Sequence, residues 1–548
     1  MKFKISLSVL ILVLVNLHPD PSLGQSPEAK ILSENIDKHI RLLASDDFLG
    51  RRPGTAGEEK TTQYLMSQLE EMGVEPANNG SYKQEFAISQ LYHQPTGNMI
   101  IHDTEGDVAF EFGKDFYAKT TMPDKEVSIK EAEMVFAGFG IVAPEYEWDD
   151  YEEIDVRGKI VLVMFSDPGF YRGEADFFNG MQPSRYADFN YKKSEAMARG
   201  ARGVLMIFNS IMNWDAIGSR STSGPLFLKE QPDLVSDGLQ ISGIVSIRLM
   251  KHLLEASGLD HDYEQDALSE NFKPLEFKTR LSLDVRADTK EVINTSNIIG
   301  MIKGSGRPDE CIVYTAHWDH VGTRPASFGT DSIFNGAVDN ASGTSMVLEI
   351  ARAFSQLKRK PDRTVIFFFT SAEEMGLLGA EYYTSNPIIP LNKTVCVINA
   401  DSNYPTTRMK TVVNVLDGLT ELDKFNHKAA KKLGRRIIPD DSPPEMNVFR
   451  RGDHYPFVRK GGVPATWMVG AMDPLNGDSA SEKVVADYMQ HYHQVTDEYY
   501  DGFIVDNIVF DAQLDFLIGL KLANNKAWPG WSNDSGYKKL RDQHLSNN

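Results

Sequence analysis

Cys311-Ile312-Val313-Tyr314-Thr315-Ala316-His317-Trp318-Asp319 decides the fold: an apolar run suited to a buried strand, followed at once by a histidine and an aspartate. The pattern recurs along the chain. Thr364–Thr370 is followed by Glu373 and Glu374, Thr394–Asn399 by Asp401, and a fourth dense apolar run covers Pro464–Val469. Between the first two runs, Gly343–Leu357 reads as a helix with Met346, Val347, Ile350, Ala351, Phe354 and Leu357 on one face. Apolar strands alternating with helices imply an α/β fold built on a mixed, mostly parallel sheet flanked by helices. In such sheets functional groups gather beyond the C-terminal ends of the strands. These ionisable residues stand at that position. Asp339 lies in the loop just before the helix, and His493 comes late, in Tyr492-His493-Gln494-Val495-Thr496-Asp497.

Upstream, Gly50-Arg51-Arg52-Pro53-Gly54-Thr55 is a turn-rich approach to a helix over Gly57–Met72, where Tyr64, Leu65, Leu69 and Met72 recur at helical spacing. Short strands are expected over 81–120. From about residue 130 the texture changes: strands at Glu133–Val142, Lys159–Phe165 and Val204–Phe208, a helix at Tyr191–Gly200, and a strand and helix within Gly243–Gly258. This reads as an inserted α+β unit over 126–275, dividing a catalytic domain into 25–125 and 276–535 and leaving a polar, frayed tail at 536–548. Residues 1–24 read as a signal peptide, with Lys2 and Lys4, an apolar Ile5–Val15 and a Ser22-Leu23-Gly24 cleavage site. A secreted or periplasmic protein is expected, with no membrane contact after cleavage. The net charge of -20 over 548 residues repels nucleic acid and anionic lipid. Cys311 and Cys396 both fall in strand-like apolar runs and read as core thiols rather than a disulfide framework.

Two histidines with several carboxylates and no thiolate suit zinc better than other divalent ions. Asp339, Glu374 and Asp401 carry three negative charges; with a bridging hydroxide they balance two divalent cations, and without metal they would repel one another. Thr315-Ala316-His317-Trp318-Asp319-His320-Val321-Gly322 resembles the first metal motif of the co-catalytic zinc aminopeptidase family, relatives of glutamate carboxypeptidase II and the transferrin receptor. Asn335–Gly343, Ser371–Gly379, Asn399-Ala400-Asp401 and Tyr492-His493 are similar to its remaining motifs, in order. Gly50–Thr55 is similar to the N-terminal segment of bacterial members.

The resemblance implies a zinc exopeptidase fold, two zinc ions, peptide substrates and the following roles. Asp339 bridges both metals, His317 and Asp401 complete one site, and Glu374 and His493 complete the other. Asp319 hydrogen-bonds the far nitrogen of His317, fixing its tautomer. Glu373 is the general base. Glu373 and Glu374 diverge if the segment is extended, because neighbouring side chains then point opposite ways. The activity implied is removal of N-terminal residues from peptides; a carboxypeptidase on the same metal core and a dead binding scaffold are the alternatives. A related deacylase family carries its extra domain after the Glu pair, whereas here the extra unit precedes His317. The inserted unit itself, through Phe136–Ile141, Val156–Val163 and Gly200–Leu205, resembles a protease-associated domain.

Four further readings complete the sequence. His491 is the rival of His493. His320 and the Asp453-His454 pair read as local structure or pocket wall. Asn340 begins an Asn-x-Ser triplet where metal is expected, so it is not read as a glycosylation site. Phe449 stands where some family members place an oxyanion-steadying tyrosine; Arg450, Arg451 and Tyr455 are nearby donors, and none is assigned.

Overall fold

The computed structural model describes residues 26–546 except 121–125, 175–176, 179, 181–183, 209–225, 229–238, 261, 270–271, 325–330, 441, 443–446, 475–487 and 533–535. The signal-peptide segment therefore lies outside the described residues. Four strands are parallel neighbours: β1 (Arg307–His317), β2 (Arg363–Thr370), β3 (Thr394–Asn399) and β4 (Ala465–Pro474). Their order is β2-β1-β3-β4. β2 and β3 are buried along their whole length, as expected for strands covered on both faces. Antiparallel neighbours flank this core. Met409–Asn414 pairs with β4, and the end of the long strand Leu275–Ile302 pairs with β2.

Helices cover both faces. Gly343–Ser355 and Asp506–Ala523 pack on one side with Ile36, Ile40 and Leu65 of the N-terminal helices. His454–Gly461 and Leu378–Ser385 pack on the other, through Phe457, Val458 and Tyr383. Cys311 and Cys396 are buried free thiols of this core. The chain end departs from expectation. Tyr537–Ser546 is a helix rather than a frayed tail, because Tyr537 and Arg541 are buried. Arg541 also donates to the carbonyls of Leu391 and Thr394 at 3.0 and 2.6 Å.

Leu275–Ile302 joins the two halves of the chain. Its first part pairs with Glu126–Phe136, and its second with Lys83–Pro95. Glu126–Phe136, Ile160–Val163, Gly203–Ile207 and Ile241–Val245 form a second parallel set. The first of these strands stops at Phe136, short of the expected Val142, because Gly138 and Gly140 turn the chain at φ 48 and 69°. The core of this half gathers residues from Met99 to Val285, more than the 126–275 expected. It meets the catalytic half where the Tyr455 hydroxyl bonds Asp188 (2.5 Å) and Arg450 donates to the Ser184 carbonyl (2.9 Å). Among the described residues, no helix is long and apolar enough to cross a membrane.

Candidate metal centre

The strand ends converge. His317 closes β1, and its Nε2 lies 3.2 Å from Asp339 Oδ1 and 3.4 Å from Asp401 Oδ1. Asp339 sits in the tight turn Ala337–Ser342 that leads into the helix Gly343–Ser355. Its other oxygen, Oδ2, lies 3.2 Å from His493 Nε2, which is itself 2.9 Å from Glu374 Oε2. Asp339 thus turns one oxygen to each of two donor groups, His317/Asp401 and Glu374/His493. Donor atoms within each group lie within 4.8 Å of one another. All five residues expected as ligands come together, and so does Glu373, which shares the wall of one cavity with His317, Asp339 and Asp401.

Three details differ from the sequence reading. Asp319 does not orient His317 with its carboxylate. The His317 Nδ1 faces the Asp319 backbone carbonyl at 3.1 Å, while the Asp319 Oδ1 is 3.9 Å away. The carboxylate instead accepts the backbone N–H groups of Glu373 and Glu374 at 3.1 and 3.4 Å. The Glu pair, secondly, is not extended. Ala372 has φ 59°, and the chain turns immediately after β2. The two amides are pinned to one carboxylate, and a carboxylate oxygen of each glutamate lies within 4.8 Å of the other and of a His317 ring nitrogen. Thirdly, His320 joins the second donor group, with Nδ1 2.6 Å from Glu374 Oε1. His491 stays outside, bonded to the Thr496 hydroxyl at 2.7 Å. His454 is local structure, its Nε2 2.9 Å from the Phe449 carbonyl.

Asp497, four residues beyond His493, has no signature of a role in the sequence; it is buried and accepts the N–H groups of Val338 and Asp339 at 2.9 and 3.1 Å. These bonds fix the turn that aims Asp339. Asp453 is also buried beneath the cluster, bonded to the Thr370 hydroxyl at 2.5 Å.

The acids fall into two kinds. Burial, and then Glu374, Asp401 and Asp453, push the Glu373 carboxyl well above its ordinary range, against the pull of His317. Burial opposes the charge of Asp339 too, but His317 and His493 hold it well below its ordinary value. For Glu374, burial and Asp339 oppose the charge, and His320 and His493 outweigh them. Neighbouring carboxyls are thus pushed in opposite directions.

The residues fit a divalent cation. Imidazole nitrogens and carboxylate oxygens converge without a thiolate. Although His493 Nε2 lies beside two carboxylate oxygens, it is buried and makes no hydrogen bond of acceptable geometry. A ring nitrogen aimed in this way is placed to coordinate rather than to donate.

A cavity of about 250 Å³ opens beside the cluster. Val413, Val415, Val448, Trp467 and Val469 form its apolar wall, while Asp440, Ser442, Arg451, Tyr488 and Tyr492 add polar groups. Of the donors near Phe449, Arg450 and Tyr455 are engaged by Ser184 and Asp188, and Arg451 lines the cavity.

Residues 297–502 match Peptidase family M28. The segment that holds the candidate donors is therefore a Peptidase family M28 domain. It is 37% identical over 116 residues to the rat (Rattus norvegicus) protein named aminopeptidase NAALADL1, a match covering 20% of this chain and 14% of that protein. It is 30% identical over 503 residues to a glutamate carboxypeptidase 2 homolog of Caenorhabditis elegans, covering 79% of this chain and 61% of that one. The chain thus spans less than two thirds of these relatives' lengths. An aminopeptidase structure from Aneurinibacillus sp. strain AM-1 is 17% identical, with a TM-score of 0.45, over 90% of this chain and 94% of that one.

Proposed function

We propose that this M28 chain is an exported zinc aminopeptidase that removes N-terminal residues from peptides. The observation that carries this reading is Asp339, whose two oxygens face different histidine-carboxylate groups, a layout suited to two cations sharing one carboxylate. His317 and Asp401 would hold one zinc, Glu374 and His493 the other. When bound, zinc supplies a Lewis acid that polarises the peptide carbonyl and acidifies water.

Glu373 takes a proton from the attacking water and returns it to the leaving amine. The group must accept and then release a proton, and Glu373 stands on the cavity wall beside His317, Asp339 and Asp401 where both steps would occur. Arg451 and Tyr492 face the same cavity and are placed to meet the negative charge that develops on the carbonyl oxygen. Asp339, Glu373, Asp401 and Asp440 on the cavity wall favour a substrate with a free ammonium. The apolar wall beside Trp467 favours a bulky apolar side chain. The half built around Met99–Val285 is read as a protease-associated domain that shapes access to the cavity.

Arg451 favours a second reading, because it could receive a substrate carboxylate and so make the enzyme a carboxypeptidase. One peptide, free and N-acetylated, incubated with and without chelator and followed by mass, separates the readings. Stepwise loss from the free N-terminus, blocked by acetylation and by chelator, is expected. Loss from the C-terminus of both forms would establish the carboxypeptidase. Zinc-loaded protein inert toward a broad peptide panel would overturn both.

A further inference from the structure

The Gly50–Thr55 motif has no part in the chemistry so far, yet Arg51 reaches the metal centre from beneath. Its side chain is 1% exposed. Nε donates to the Trp318 carbonyl at 2.9 Å, Nη1 to those of Asn335 and Leu43 at 2.5 and 2.7 Å, and Nη2 to that of Gly336 at 2.9 Å. Trp318 separates His317 from Asp319, and Asn335 and Gly336 lead into the turn that carries Asp339. One planar guanidinium therefore spans the two loops that bring His317 and Asp339 together.

The backbone is shaped for this reach. Leu49, Gly50 and Arg51 have φ of 50, 62 and 51°, a left-handed run that favours glycine. At Gly50 a Cβ would come within 2.4 Å of the Gly322 carbonyl oxygen and 2.5 Å of that of Phe334. The turn is thus wedged between the segments that flank the two loops. A buried cation held only by carbonyls is costly unless nearby charge offsets it. Asp497, Asp339, Asp319 and Glu374 lie close enough to favour its charge. Lysine would bring a compact charge with no planar fork and could not satisfy the same carbonyls together.

We propose that Arg51 is a positioning residue of the metal centre, holding the His317 and Asp339 loops at the separation that zinc binding requires. The inference rests on the reading that these residues bind zinc. The test uses the full mature chain with Arg51→Met and Arg51→Lys, measuring zinc affinity by chelator competition and Tm with and without zinc. Both variants are expected to lose about 10–100-fold in affinity, as when groups that orient metal ligands are removed, and to show a smaller zinc-dependent rise in Tm. A folded Arg51→Met or Arg51→Lys with wild-type affinity and the full zinc-dependent rise would overturn the proposal; a merely structural arginine would lower both Tm values alike.

Amide hydrogen exchange on the wild-type chain decides the matter even if neither variant folds. Stripping zinc should speed exchange at 46–55, 317–320 and 335–340 together. An unchanged 46–55 segment would refute the link. Wild-type protein that takes up no zinc at all would overturn the reading of the site before Arg51 is reached.

Discussion

Asp497→Asn tests whether second-layer hydrogen bonds set the position of Asp339. The Asp497 carboxylate accepts two backbone N–H groups, from Val338 at 2.9 Å and Asp339 at 3.1 Å, at a site shielded from water. Asparagine has nearly the same shape but offers one acceptor, and its amide group must face the other N–H. One charge-assisted bond, worth about 1.5–3 kcal/mol, is lost, and one buried N–H is left unmet at about 1–3 kcal/mol. Rotation of the turn will recover part of that sum, so about 3 kcal/mol is expected overall. The turn must be in place before Asp339 can bridge, so some of this should appear as weaker metal binding, about 10–100-fold. The substitution also removes a negative charge that favours the buried Arg51 cation. Chelator competition gives the affinity, and denaturant unfolding of zinc-stripped protein gives the remainder. An Asp497→Asn chain with wild-type zinc affinity and wild-type stability would refute the claim that these two bonds aim Asp339.

The remaining expectations are simpler. Glu373→Gln should keep its zinc and lose at least about 10²-fold in kcat, the low end for a proton-transfer group; retained turnover at full zinc content would remove Glu373 from the mechanism. His39, buried against the Tyr64 hydroxyl at 2.5 Å, is pulled by burial to a pKa of about 4. Since that lies below its unfolded value of 6.5, the unfolded chain binds the extra proton between those values, and stability falls as pH drops from 6.5 towards 4. His39→Gln should flatten that loss by about 2 kcal/mol in urea titrations at pH 7 and 4.5; an unchanged difference between the two pH values would show that His39 does not titrate this way.

The catalytic sheet was legible because burial on both faces forces nearly unbroken apolar runs, as in Val365–Phe369, and three of the four runs end within three residues of an ionisable group. The meeting of His317, Glu373, Glu374 and Asp401 was legible for the same reason, since each stands at or just beyond the end of its strand. The edge of the inserted half was harder to read, since Leu275–Ile302 passes through both halves as one strand. The last helix was hidden because two buried anchors, Tyr537 and Arg541, suffice to seat an otherwise polar segment.

What sequence could not show was how the donors are held. Asp319 was expected to touch a side chain and instead grips two backbone amides, those of Glu373 and Glu374. Arg51 bonds the Gly336 carbonyl 285 positions away, and Asp497 bonds the Val338 amide 159 positions away. Every residue has a backbone carbonyl, and every residue but proline an N–H, so such partners leave no mark of composition or spacing. A motif can therefore specify which atoms meet a metal while leaving unstated what sets their separation. In this chain the separation is held by a buried cation on one side of the Asp339 turn and a buried carboxylate on the other. If that is correct, substitutions at Arg51 and Asp497 should weaken metal binding by more than the sum of their separate effects or by less, but not additively, because both act on the same turn. Strict additivity in zinc affinity for the double variant would show that the two residues hold independent parts of the site.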